Sequence, residues 1–223
     1  MCTHRLVKER EIFEKAFIDK LHKNFEIRSE YFDFEFYVFT ELGETIFEIN
    51  KCLILEFYRA SITLTNNLLE RLLKLSLIYD EVGIGPKPVE DWNSIFKGPN
   101  DKYSSIVLGS SIEKCREREL ITENEKVFLS DTIRVLLRNG FSHADSAKIL
   151  KAIPDEATLF HGSFSKLTDI KPVSLNQKVI PFIQALHIEN FAKENAAIYF
   201  DYVYELIKKI DQRLIDRDKN AST

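Results

Sequence analysis

Between Thr45 and about Tyr79 the chain carries apolar residues at helical spacing almost without interruption, and any fold it adopts has to cover that stripe. Phe57, Ala60, Leu64, Leu68, Leu72 and Leu75 fall on one face, and Leu69, Leu73 and Leu77 widen it. The spacing therefore predicts a long, largely buried helix. Asn66, Asn67, Glu70 and Lys74 take the other side, where Asn66, Glu70 and Lys74 lie four apart and form a solvated ladder worth a few tenths of a kcal/mol per pair.

Composition agrees with a helical protein. Of 223 residues, 44% are hydrophobic and only 7 are glycine and 6 proline, which excludes a disordered or fibrous chain and points to a mainly α fold. One well-filled core is expected at this length. A net charge of -4 argues against a surface coated in cations for duplex binding, so any RNA site must be a local basic groove. Cys2, Cys52 and Cys115 form no Cys-x-x-Cys pair and are odd in number, as expected of reduced thiols, with Cys52 and Cys115 as small core residues. The charged N-terminus is unlike a signal peptide and no apolar run reaches the length of a membrane span, so a cytoplasmic protein is expected.

Plausible catalytic side chains gather in one stretch, Val135-Leu-Leu-Arg138-Asn139-Gly140-Phe141-Ser142-His143. Thr122-x-x-Glu125 reads as a capping box, so a helix is predicted to begin near Glu123 and run through Leu137. Leu129, Ile133, Leu136 and Gly140 share its buried face, while Asp131, Arg134, Arg138 and Ser142 form a polar flank. Asn139 and His143 are four apart, which lets the amide set the orientation and tautomer of the imidazole. Arg138 and His143 are five apart, about 140° on a regular α-helix. Either Gly140 breaks the helix and swings the histidine round, or each residue meets its counterpart from a second copy. An imidazole that moves a proton and a guanidinium that holds charge on phosphorus oxygens suit metal-free cleavage of RNA by its own 2′-hydroxyl, with Asn139 positioning both. The bland reading is a pair of cations favoured at a helix C-terminus.

Arg138-Asn139-x-x-x-His143 at the end of an amphipathic helix resembles the signature of the HEPN superfamily (higher eukaryotes and prokaryotes nucleotide-binding domains). Ala60 to Leu75 looks like that family's first core helix, and Leu108 to Ile121 looks like the segment before its motif helix. The resemblance covers roughly residues 52 to 148 and the last helix. It implies a HEPN-like helical bundle, and it matches Arg138 and His143 to the family's catalytic pair and Asn139 to a common residue after the arginine. It further implies a metal-independent endoribonuclease whose site forms across a homodimer, in a toxin or antiviral role with a cognate antitoxin or regulatory partner. The other outcome within the family is a module that has lost catalysis and binds a nucleotide or protein. Glu70, Asn66 and Ser142 are the supporting candidates, Glu70 or Asn66 by lining the same cleft. Where some toxin members carry a tyrosine two residues past the histidine, this chain has Asp145.

Outside the resemblance, residues 1–44 read as an N-terminal extension ahead of a helical domain over 45–223. Leu6, Ile12, Phe13, Phe17, Leu21 and Phe25 predict an amphipathic helix, and the alternation of Phe32, Phe34, Phe36 and Val38 suggests a strand in a sequence that also tolerates a helix. Those aromatics are expected to pack rather than stack on bases. Residues 80–105 read as a loop with at most a short helix over 91–96, anchored by Trp92. Gly83-Ile-Gly85-Pro86 is not a phosphate-binding loop, and His161 and His187 match no zinc spacing, so neither cofactor nor metal is expected. The insertion over 151–187 is expected to be irregular around a hairpin made from Thr158–His161 and Val173–Leu175, before a last helix over 188–217.

Overall fold

The computed structural model describes residues 2–33, 35–138, 141, 149–163 and 166–221, and for 2–7, 135–138, 152, 159–163, 166–171 and 221 it describes the course of the backbone alone. Its helices are α1 (Cys2–Arg28), α2 (Gly43–Ile54), α3 (Tyr58–Val82), α4 (Trp92–Tyr103), α5 (Leu108–Glu117), α6 (Glu123–Val127) and α7 (Pro181–Ala221). A π-helical segment, Phe128–Arg138, continues α6. The fold is mainly α, and the expected hairpin is present as antiparallel β1 (Glu156–Ser163) and β2 (Lys166–Asn176). Among the described residues no helix is long and apolar enough to cross a membrane.

α3 is the centre. Leu68, Leu69, Leu72, Leu73, Leu75, Leu77 and Ile78 are all buried, and α7 covers them with Ala196, Tyr199, Phe200, Val203, Leu206, Ile207 and Ile210. The two helices run in the same direction, since Tyr199 meets Asn66 and, further along both, Arg217 meets Asp80. A side chain of this size stabilises the fold by roughly 1.5–3 kcal/mol when fully buried, so this seam dominates the core.

The predicted helix over 45–79 is in fact two. The chain breaks at Leu55–Phe57, where Glu56 adopts a left-handed conformation (φ 62) and the Phe57 amide donates to the Cys52 carbonyl at 2.7 Å. This is a helix-ending pattern in which glycine is usual. Glu56 is held there by α1, through Lys23 Nζ at 2.9 Å and the Asn24 amide at 3.4 Å. In consequence Phe57 and Ala60, expected in the buried stripe, are exposed.

Other expectations are corrected in the same way. The described residues of 33–39 form no strand: the Tyr37 and Val38 amides donate to the carboxylate of Asp211 on α7, at 3.2 and 2.8 Å, in place of a neighbouring strand. Phe36, Val38 and Phe39 are buried in the main core, so these aromatics do pack, while Phe34 lies outside the described residues. Residues 92–103 form a full helix despite Pro99, not a loop. α7 begins at Pro181, seven residues before the predicted start. α1 is helical as expected, but Ile12, Phe13, Ile18, Leu21 and Phe25 on it are largely exposed. Its C-terminal end is pinned by Arg28, which is buried, donates a hydrogen bond to Asn50 at 3.1 Å, forms an ion pair with Asp201 at 2.9 Å, and stacks on Tyr31 at 4.2 Å. Cys115 is buried and Cys52 half-buried, both as free thiols. The helix expected over residues 144–150 falls mostly on positions outside the described residues.

Two measurements check this account. Asp211→Ala leaves two amides of the 33–39 segment without an acceptor and is expected to cost about 1–3 kcal/mol in urea unfolding, far more than an exposed Asp→Ala change. The second concerns Glu81, which joins α3 to α4. Hydrogen bonds from Lys102 and then Tyr103 hold its carboxyl down from 4.5 to about 2. A depressed folded-state value contributes stability that is present above the unfolded value and lost as pH falls through the folded one. Stability should therefore decline between pH 4.5 and about 2, and Glu81→Gln should flatten that part of the profile.

Candidate functional site

The helix leading into Arg138 is fixed at its base. Thr122 Oγ1 accepts from the Glu125 amide at 3.2 Å, and the Glu125 carboxylate accepts from the Thr122 amide at 2.8 Å, which is the predicted capping box. The same carboxylate then takes Arg213 of α7 in a forked pair, at 2.8 and 3.2 Å, and Arg213 also donates to the Leu120 carbonyl at 2.8 Å. Burial pushes the Glu125 carboxyl up, but Arg213 and the Thr122 amide outweigh it and the net displacement is downward.

Above this clamp the backbone changes register. α6 gives way at Phe128 to hydrogen bonding over five residues, and this wider winding continues to Arg138. Such winding is rare and concentrates at functional positions. Leu129 and Ile133 are buried as predicted, and Asp131 and Arg134 are exposed on the flank. Phe128 packs edge-on against Tyr202 at 4.6 Å, and further on Phe141 stacks on Phe191 at 5.9 Å. The motif helix thus runs antiparallel to α7, with Arg138 near the Phe191 end. The 140° separation of Arg138 and His143 assumed regular α geometry, which does not hold up to Arg138. The side chains of Leu136 and Arg138, together with Asn139, Gly140, Ser142 and His143, lie outside the described residues.

Asn66 and Glu70 are described. Asn66 is not on a solvated face: it is buried in the α3–α7 seam, where Oδ1 accepts from the Tyr199 hydroxyl at 2.9 Å. Tyr199 is raised well above the ordinary phenol range, first by burial and then by the negative charge of Glu70. Glu70, half-buried, therefore belongs to the same polar patch, level with Tyr199 rather than with Phe191.

Beside the motif helix lies a cavity of about 720 Å³, between α5 and the π segment, with Lys114, Lys126, Arg134, Glu113, Glu117 and Asp131 among its walls. Lys126 is paired with Glu113 at 2.8 Å. The Arg134 guanidinium crosses Gly109 so closely that a Cβ there would lie 2.7 Å from Nη1, so glycine is what lets this arginine lie against α5. Sequence reasoning named Arg134 only as a flank residue. The contact with Gly109 and the clamp of Glu125 on Arg213 both join positions remote in sequence, and only the capping half of Glu125's role had a local signal. Among the described residues no group of three His, Cys, Asp or Glu side chains is placed to hold a metal ion.

Glu125 separates capping from ion pairing. Glu125→Gln keeps an acceptor for the Thr122 amide but takes the opposite charge away from Arg213, which retains the Leu120 carbonyl, while Glu125→Ala removes both cap and pair; losses of about 1–2 and about 2–4 kcal/mol in chemical unfolding are expected, in that order. No family model, curated protein or solved structure matches the chain.

Proposed function

We propose that the chain is a metal-independent endoribonuclease of the HEPN type, acting in the cytoplasm as a homodimer with a composite site. The observation that carries the reading is the Arg138-Asn139-x-x-x-His143 spacing at the end of a helix, seen together with the double anchorage of that helix on α7 and its π winding toward Arg138. In this reading His143 takes the proton of a ribose 2′-hydroxyl, whose oxygen attacks the adjacent phosphorus. The bond to the 5′ oxygen breaks, and that oxygen leaves with a proton. Arg138 stabilises charge on the phosphorus oxygens, and Asn139 orients the imidazole. The products are a 2′,3′-cyclic phosphate and a 5′-hydroxyl. Ser142, Asn66 and Glu70 are supporting residues, the last two through the seam that backs the motif helix. A toxin or antiviral role with a cognate antitoxin belongs to the same proposal and rests on the resemblance.

A second reading has its own support. The cavity beside the motif helix is lined by Glu113, Glu117, Glu123 and Asp131 as well as three cations, and the chain carries a net charge of -4, neither of which favours a polyanion. This is the reading of a catalytically silent HEPN-like module that dimerises and binds a nucleotide or a protein.

Labelled single-stranded RNA incubated with the full chain in EDTA separates the two. The nuclease reading expects cleavage that survives chelation, leaves cyclic phosphate ends, and falls by about 10²–10⁴-fold in His143→Ala and comparably in Arg138→Ala. Cleavage that requires a divalent ion, or that persists unchanged in both variants, overturns it. Absence of any cleavage by a dimeric, folded protein selects the silent module.

A further inference from the structure

At the other end of α7 from the motif, a cavity of about 590 Å³ opens where the loop after α3 turns into α4. Phe191 and Arg217 mark the two ends, roughly 40 Å apart at 1.5 Å per residue. Its size is that of a small-ligand site, and its walls are aromatic: Tyr37, Tyr79, Trp92 and Phe96. Tyr79 and Phe96 meet edge to face at 6.4 Å, and the Tyr79 hydroxyl is tied to Glu41 at 2.7 Å, so this wall is rigid. Trp92 and Tyr37 are different. They are 50% and 69% exposed, large rings left facing solvent at the mouth of a cavity.

One cation enters this aromatic setting. Lys87 is half-buried and takes no carboxylate partner among the described residues, although neighbouring basic residues such as Lys102, Arg118 and Arg217 are all paired. Its ammonium lies 3.7 Å from where a side chain at Gly83 would begin, a position whose φ of +78° already favours glycine. The Trp92 indole N–H donates to the Lys87 backbone carbonyl at 3.2 Å, which fixes the ring against the loop that carries the lysine. The amides of Ile84, Gly85 and Lys87 give no backbone hydrogen bond among the described residues, leaving donors along the same loop.

From this juxtaposition we infer that the cavity binds a nucleotide unit, with the base stacked on Trp92 and Tyr37 and the phosphate held by Lys87 and the loop amides. Exposed aromatic faces accept any base, at about 1–3 kcal/mol per stacked base, and an unpaired ammonium selects an anion. The same lysine argues against a quaternary ammonium ligand, which aromatic walls alone would suit. The inference does not depend on the nuclease reading, because no motif residue takes part. A free mononucleotide and one nucleotide of a single-stranded RNA present the same chemistry.

Trp92 is the sole tryptophan of the chain, so its fluorescence reports this cavity alone. The full-length protein is titrated with AMP, adenosine, inorganic phosphate, a 2′-O-methyl oligoadenylate that lacks the nucleophilic hydroxyl, and a proline-rich peptide, with excitation at wavelengths where the bases do not absorb. Saturable quenching by AMP is expected. Lys87→Ala should weaken AMP by about tenfold or more and leave adenosine unchanged, Lys87→Arg should restore AMP binding, and Tyr37→Ala should weaken both ligands. Far-UV circular dichroism establishes that each variant is folded, and Lys87→Gln replaces Lys87→Ala if the latter is not. Tighter binding of the oligonucleotide than of AMP assigns the site to an RNA strand; equal or weaker binding assigns it to a free nucleotide. The inference is overturned if AMP gives no saturable quenching, if the Lys87 variants bind AMP as the native chain does, or if the proline-rich peptide alone quenches.

Discussion

The helices α2, α4, α5 and α7 are placed by the need to cover the apolar side of α3. A helix with leucine or isoleucine at most positions from 68 to 78 must bury that stripe, leaving the line of Thr63, Asn67 and Arg71 in water, and the parallel passage of α7 covers the largest part of it. Once two helices are packed along most of their lengths, polar side chains caught between them must bond one another, because an unmatched buried group costs about 1–3 kcal/mol. Tyr199 on Asn66 is one such bond. Thr65 and Ser76 solve the same problem locally by donating to the carbonyls of Ser61 and Leu72. Ion pairs then close the far end of the seam, where Asp80 takes both Arg118 and Arg217.

The motif helix lies against that seam, reaching α7 through Glu125, Phe128 and Phe141 and its sequence neighbour α5 through Lys126 and Arg134. Glu125 on Arg213 sets one end, and Phe128 on Tyr202 and Phe141 on Phe191 set the course between and beyond. Fixing both ends of a helix on a rigid support while its buried residues must still face inward leaves the winding as the adjustable quantity. The change from α to π geometry at Phe128 is consistent with that constraint. It also alters which side chains share a face near Arg138, so angular arguments from a 3.6-residue turn lose their force where they matter most.

The chain was readable wherever structure is local. The capping box at Thr122 and Glu125, the burial of Leu129 and Ile133, the α3 stripe from Leu68 onward and the hairpin before the last helix all follow from spacing over a few residues. It was unreadable where a distant group replaced a local partner. Alternating aromatics at 32–38 look like a strand, yet the Tyr37 and Val38 amides are taken by a carboxylate more than 170 residues away. No glycine or proline announces the break at Glu56, because Lys23 and Asn24 of α1 hold it. Asn66 sits at the edge of an apolar stripe and reads as solvated, and only the arrival of Tyr199 buries it.

Taken alone, then, the sequence determined that the protein is mainly helical, where its principal buried stripe lies, and which arginine, asparagine and histidine stand close enough in the chain to form a motif. These properties depend on intervals of three to five residues, which the backbone converts directly into shared faces. The tertiary structure decided that α7 runs parallel to α3, that Glu125 holds the motif helix by an arginine of α7, and that Lys87 lines an aromatic cavity with no carboxylate partner among the described residues. Those outcomes depend on which surfaces meet once the stripe is buried, and the groups involved are separated by tens of residues or more, beyond the reach of any local pattern.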